Sequence, residues 1–166
     1  MKHIMQFDFL VDKGKNTINV KRDFAANLDL LWAAWTNSKI LDQWWAPKPY
    51  KAVTERMNFS EGGQWLYYML GPKGDKQWCQ TNYQIIKIHN FFSYKDAFCD
   101  EEGIPNLDHP SMKWNISFEN HGVVSSVDIE ISFNSEEDLQ KILKMGFQEG
   151  FIMALENLDE YFNREK

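Results

Sequence analysis

AANLDLLWAAWTNSKILDQWWAP, residues 25–47, holds four of the chain's seven tryptophans: Trp32, Trp35, Trp44 and Trp45. Apolar residues recur at Leu28, Leu31, Trp32 and Trp35, then at Ile40, Leu41, Trp44 and Trp45. Steps of three and four place them along one side of a helix. Asn27 and Ser38 stand where N-caps belong, which predicts two short helices separated at Thr36-Asn37. Pro47 and Pro49 end the second one. Helices this short barely hold in water alone, so their indole faces must pack on something larger.

On the N-terminal side, residues 4–11 alternate with Met5, Phe7, Phe9 and Val11 on one register, the pattern of a half-buried strand. Asp12-Lys13-Gly14-Lys15 is a turn in which Gly14 can take positive φ. Ile18, Val20, Arg22 and Phe24 share one face of a second strand, so an antiparallel hairpin precedes the helices. On the C-terminal side the spacing predicts strands over 52–59, 64–70, 77–88, 91–99, 111–118 and 123–133. Turns at Glu61-Gly62-Gly63, Gly71-Pro72-Lys73-Gly74-Asp75, His89-Asn90 and Asn120-His121-Gly122 divide them, together with an acidic loop over 100–110. Met112, Trp114, Ile116 and Phe118 alternate with polar residues, as do Val127, Ile129, Ile131 and Phe133. One buried and one wetted face is the antiparallel pattern.

From Ser135, an N-cap followed by Glu136, Glu137 and Asp138, helical spacing continues through Leu139, Ile142, Phe147, Phe151, Leu155 and Leu158 to Phe162. A single helix of about seven turns is expected. Gly146 and Gly150 fall on one of its faces. Each costs about 1 kcal/mol relative to Ala, which points to a close approach there by a strand, an indole or a ligand. Hairpin, helix pair, run of strands and terminal helix together make an α+β chain. The terminal helix is the element able to cover the sheet's apolar face.

With 166 residues, 43% of them hydrophobic, the chain can bury a substantial core as one domain. Its aromatic content of 15% is high, and large rings both fill cores and line cavities. The net charge is −6 and the eighteen basic residues are scattered, which disfavours nucleic acid and anionic membranes as partners. Cys79 and Cys99 read as reduced core thiols. No apolar run approaches the roughly 18 residues of a membrane span, and MKHIMQFDF lacks a signal-peptide core. A cytoplasmic location is therefore expected. His3, His89, His109 and His121 lack ligand spacing, so no metal is expected. Asp100-Glu101-Glu102 and Glu136-Glu137-Asp138 read as solvated charge and dipole complement, and there is no G-x-S-x-G. No catalytic residue or cofactor is assigned.

The run INVKRDFAANLDLLWAAWTNSKILDQWWAP resembles the opening of the START-like, helix-grip (SRPBCC) superfamily. Within it, the chain is similar to the family named after the C-terminal domain of the activator of the heat-shock chaperone ATPase. The resemblance continues at Glu61-Gly62-Gly63-Gln64-Trp65, the Gly-Pro-Lys-Gly hairpin, Tyr83 and the terminal helix with Gly146. It covers roughly residues 17–163, leaving 1–16 as an N-terminal strand extension of one domain spanning 1–166. Asn58 and Ser60 stand where many relatives carry an acid and an arginine, and Ile85 where an acid is common.

The resemblance implies a curved antiparallel sheet wrapped around a long C-terminal helix, closed at one end by the helix pair, with a hydrophobic cavity between sheet and helix. Around such a cavity fall Trp35, Trp44, Trp45, Trp65, Tyr67, Trp78, Phe98, Met112, Trp114, Gly146, Phe147, Gly150 and Phe151. Gln80 and Asn82 share a strand face with Trp78 and, if inward, are the polar groups that orient a ligand. The leading expectation is binding of a small hydrophobic molecule. The alternatives are a partner-protein module that regulates an ATPase and a cavity enzyme. The enzyme would need an inward acid, for which Glu55 and Asp96 are the candidates.

Overall fold

A computed structural model of the chain describes residues 5–165. The elements run β1 (Phe7–Asp12), β2 (Thr17–Phe24), α1 (Leu28–Thr36), α2 (Ser38–Trp44), β3 (Lys51–Met57) and β4 (Gln64–Leu70). They continue with β5 (Lys76–Lys87), β6 (Phe91–Phe98), β7 (Met112–Asn120), β8 (Ser125–Ser132), α3 (Glu136–Lys144) and α4 (Phe147–Arg164). The strands form one antiparallel sheet in the order β1-β2-β8-β7-β6-β5-β4-β3. This is the expected α+β, helix-grip arrangement. Consecutive strands from β3 to β8 are neighbours, and the hairpin made first closes onto β8.

Alternation assigns the two faces. Ile116 pairs with Phe92 on one side and Ile129 on the other, and Trp114 pairs with Tyr94 and Ile131. All six are buried. Polar partners such as Asn115 and Glu130 take the opposite face. On the apolar face lies α4, burying Phe151, Ala154, Leu155, Leu158 and Phe162. Phe162 meets Phe24 of β2 at 5.9 Å and Phe151 meets Trp114 of β7 at 5.4 Å.

The helix pair closes one end. Trp44 Nε1 donates to the Ala34 carbonyl at 2.9 Å, joining α2 to α1. Thr54 Oγ1 donates to Asp42 Oδ1 at 2.6 Å and accepts from Trp65 Nε1 at 3.0 Å, joining α2 to β3 and β4. A helix end leaves carbonyls without partners, and the buried Asn157 of α4 reaches across to donate to those of Ala46 and Trp44. The aromatic helix pair has thus found its larger partner in both the sheet and α4.

Three local expectations change. The N-cap of α2 is Asn37, whose side chain accepts from the amides of Lys39 and Ile40, while Ser38 is the first helical residue. The strand expected over 4–11 begins at Phe7, and residue 4 lies outside the described residues. β1 is also less buried than expected, because it is the sheet edge and no helix covers it; Phe7, Leu10 and Val11 are exposed. The single terminal helix is two helices. Gly146 sits between them at φ 90°, a left-handed conformation that L side chains resist. Helical periodicity runs through the break because both helices turn their apolar sides to one core.

The two glycines therefore differ. Gly146 makes the turn, whereas an added Cβ at Gly150 would lie 3.5 Å from Pro47 Cγ, so Pro47 does not demand a glycine there. That distance is ordinary contact. Gly146→Ala is expected to destabilise the fold by about 1–2 kcal/mol. Gly150→Ala is expected to stabilise it by up to about 1 kcal/mol through helix propensity. Urea unfolding midpoints of the two variants should move in opposite directions.

Candidate functional site

Between the sheet and the C-terminal helices lies a cavity of about 210 Å³. Tyr67 and Met69 of β4, Cys79 of β5, Asp96, Ala97 and Phe98 of β6, and Met112 and Trp114 of β7 supply the sheet side. Ile142 and Met145, Gly146, and Phe147, Gly150 and Phe151 of α4 supply the helix side, with Trp45 and Pro47 at the end of α2. Burial is graded along it. Trp114, Ile142, Tyr67 and Phe151 are buried, Met69, Pro47 and Phe147 are half-buried, and Met145 is exposed. The floor is therefore the sheet, and the mouth lies by the α3–α4 turn.

Each wall follows from strand alternation and helical spacing. On β6, Phe92, Tyr94, Asp96 and Phe98 share the inward phase, which carries one acid into an aromatic row. Asp96 Oδ1 accepts the Met112 amide at 3.0 Å and Oδ2 accepts Trp114 Nε1 at 2.9 Å. Across the cavity Trp45 Nε1 donates to the Tyr67 hydroxyl at 2.8 Å. Tyr67 in turn stacks on Trp65 with centroids 4.0 Å apart.

Burial governs the titration of these groups. It pushes the Asp96 carboxyl up to about 7, against the lowering effect of hydrogen bonds from the Met112 amide, the Trp114 indole and its own backbone amide. The residue is half-buried and borders both this cavity and a polar hollow on its other side. Burial pushes the Cys79 thiol up to about 12 and raises the Tyr67 and Tyr94 hydroxyls well above their ordinary value. Asp96 is thus the cavity group that changes charge near neutrality. Among the described residues no Lys, Arg or His lies within ion-pair distance of it.

Of the positions singled out from sequence, Trp45, Tyr67, Phe98, Met112, Trp114, Gly146, Phe147, Gly150 and Phe151 line this cavity. Trp35, Trp44 and Trp65 stand behind its wall: Trp35 and Trp44 meet at 4.9 Å, and Trp45 touches Trp65 at 5.9 Å. Trp78, Gln80 and Asn82 are not brought to it. The inward phase of β5 is Cys79, Thr81 and Tyr83, so all three face the other side of the sheet, because a one-residue change of phase flips a whole strand. There Trp78 packs on Tyr68, and Gln80 Nε2 donates to the Gly103 carbonyl at 2.8 Å, fastening the 99–111 loop. Asn82 completes that network with Gln64 and Gln80. Glu55 is exposed on β3. Sequence reasoning left Asp96 as a conditional candidate, although its i, i+2 spacing to Tyr94 and Phe98 already put it in phase with them. Pro47, Met69, Cys79, Ala97, Ile142 and Met145 carried no signal of their own.

An antiparallel sheet closed over C-terminal helices, with a helix pair at one end and an aromatic-lined hollow between, defines a START-like, helix-grip protein. The family described as Activator of Hsp90 ATPase homolog 1-like protein matches residues 25–163, and the chain belongs to it. A protein from Arthrobacter aurescens with a solution NMR structure is 29% identical, with a TM-score of 0.87 over 92% of this chain and 88% of that one. Protein Ms6760 from Mycobacterium smegmatis is 26% identical, with a TM-score of 0.85 over 95% and 96% of the two chains. A Staphylococcus epidermidis protein, 23% identical, shares the fold with a TM-score of 0.82 over 94% of each chain. Comparison with curated proteins gives no match. No helix among the described residues is long and apolar enough to cross a membrane.

The raised Asp96 value makes a stability statement. Between the ordinary 3.8 and about 7 the folded protein holds a proton that the unfolded chain has lost. This contribution is fully present below about pH 4 and is lost as the pH rises towards 7. Asp96→Asn, which stays neutral throughout, should therefore gain stability relative to the wild type across that window and level off above it. Urea unfolding of both proteins from pH 4 to 8 checks this; a difference independent of pH would refute it.

Proposed function

We propose that the chain binds a small, largely apolar molecule in the cavity between the sheet and the C-terminal helices. The observation that carries this is the cavity itself, about 210 Å³ of space among interlocked rings, open at one end. Protein interiors are otherwise close-packed. An apolar cavity of about 150 Å³ takes up benzene, so this one has room for a single ring with a short substituent. It is smaller than the roughly 300–1,000 Å³ of sites for drug-sized ligands. The half-buried Met69 and exposed Met145 at the mouth are unbranched and adaptable, which suits passage of a ligand.

A catalytic reading has one observation of its own, the Asp96 carboxyl poised near neutrality in an apolar hollow. Its neighbours Tyr67 and Cys79 both hold their protons far above neutral pH. A lone acid with no second group to exchange protons with supports binding ahead of chemistry. The partner-protein reading draws on the family's name, and no observation of the structure favours it over the cavity.

Titration with indole or toluene, followed through the tryptophan indole N–H resonances, tests the binding reading. Trp45 and Trp114, which line the cavity, should shift, while Trp78 on the other face of the sheet should not. No shift at millimolar probe, or a shift of Trp78 equal to theirs, would overturn it.

A further inference from the structure

We infer that the preferred occupant of the cavity is an organic ammonium, an amine carried on a one-ring or short aliphatic body whose charged head pairs with the Asp96 carboxylate; this rests on the cavity being the binding site. The walls are aromatic on both sides, with Trp45, Tyr67, Phe98, Trp114, Phe147 and Phe151 around the space. Ring faces attract cations and the charged carbons next to a nitrogen. At the sheet side stands one carboxyl, that of the half-buried Asp96.

The groups around that carboxyl leave a gap of defined charge. From β4 it faces the Tyr67 hydroxyl, from β5 the Cys79 thiol, from its own strand Tyr94, and from β7 the Met112 amide and the Trp114 indole N–H. The side chains that α4 brings to the cavity, Phe147 and Phe151, carry no charge. Asp96 also borders a polar hollow lined by Lys95, His109, Asp138 and Lys141, and among the described residues none of these cations forms an ion pair with it. Oδ1 accepts from the Met112 amide and Oδ2 from the Trp114 indole N–H, and a carboxylate can accept further donors from a ligand. A buried carboxylate without a cation is costly. An ammonium supplies both the missing charge and up to three donors, whereas a ligand acid would meet a like charge. An alkyl ammonium keeps its proton well above neutrality, as the lysine amine does.

Benzylamine, benzyl alcohol and toluene share one ring and differ in the head group, so calorimetric titration of the intact protein near pH 7 separates the contributions. Benzylamine should bind about tenfold or more tighter than benzyl alcohol, with proton release visible as a buffer-dependent heat as Asp96 is held ionised. Asp96→Asn should abolish both the preference and the proton release while toluene still binds. If Asp96→Asn does not fold, the wild-type preference and the proton release decide alone. Equal binding of all three compounds would overturn the ammonium inference and leave the apolar cavity standing. Failure of all three to bind would overturn the cavity as a binding site, and this inference with it.

Discussion

Trp45 is held from every layer of the molecule. Its indole N–H is given to Tyr67 of β4. Its ring meets Trp35 of α1, Trp44 of α2, Trp65 of β4, Trp114 of β7 and Phe151 of α4, all with centroids within about 6 Å. Edge-to-face and tilted ring pairs of this kind add to the apolar area they bury. Shifting the helix pair against the sheet would break several of them at once. The end wall of the cavity is thereby held from several sides at once, while at the mouth Met145 and Gly146 join two separate helices.

The same packing sets the electrostatics. Rings around Asp96 lower the local dielectric, and an acid placed there resists ionisation. Its two donors, the Met112 amide and the Trp114 indole, hold the carboxyl in place. The hydrogen-bonded acid is thus fixed in position but variable in charge. A buried group that works against stability near neutral pH departs from what the rest of the core does, and such departures are expected where a protein meets its ligand.

The layer order was legible because antiparallel strands with one wet face alternate plainly, as Met112–Phe118 and Val127–Phe133 do. The helix pair was legible from spacing and the flanking prolines. Two features were hidden for physical reasons. On β5 both phases contain large or polar residues, and the indole of Trp78 made the wrong one look inward. That error moved Gln80 and Asn82 to the cavity and left Cys79 out of it. At Gly146 the chain turns without disturbing the apolar period, so only the backbone angle reveals the break. The acid was hidden differently: one carboxylate in a strand looks like surface until its neighbours on both sides are seen to be core. The two-sided hold on that carboxyl, from Met112 and Trp114, belongs to strand register and not to local sequence.

The strand order also bears on how the chain assembles during synthesis. From β4 to β8 each strand pairs with the one made just before it, so the six-stranded run β3–β8 grows by local closure. The β1–β2 hairpin is made before the other strands of the sheet, yet its sheet neighbour is β8, with Ile18 opposite Ile131. Until β8 emerges one side of β2 has no partner, whereas α2 already finds β3 and β4 through Asp42–Thr54 and Trp45–Tyr67. β2, whose Phe24 also meets Phe162 of α4, is thus the part that waits longest for its partners, and the nascent chain is most vulnerable to aggregation in that interval.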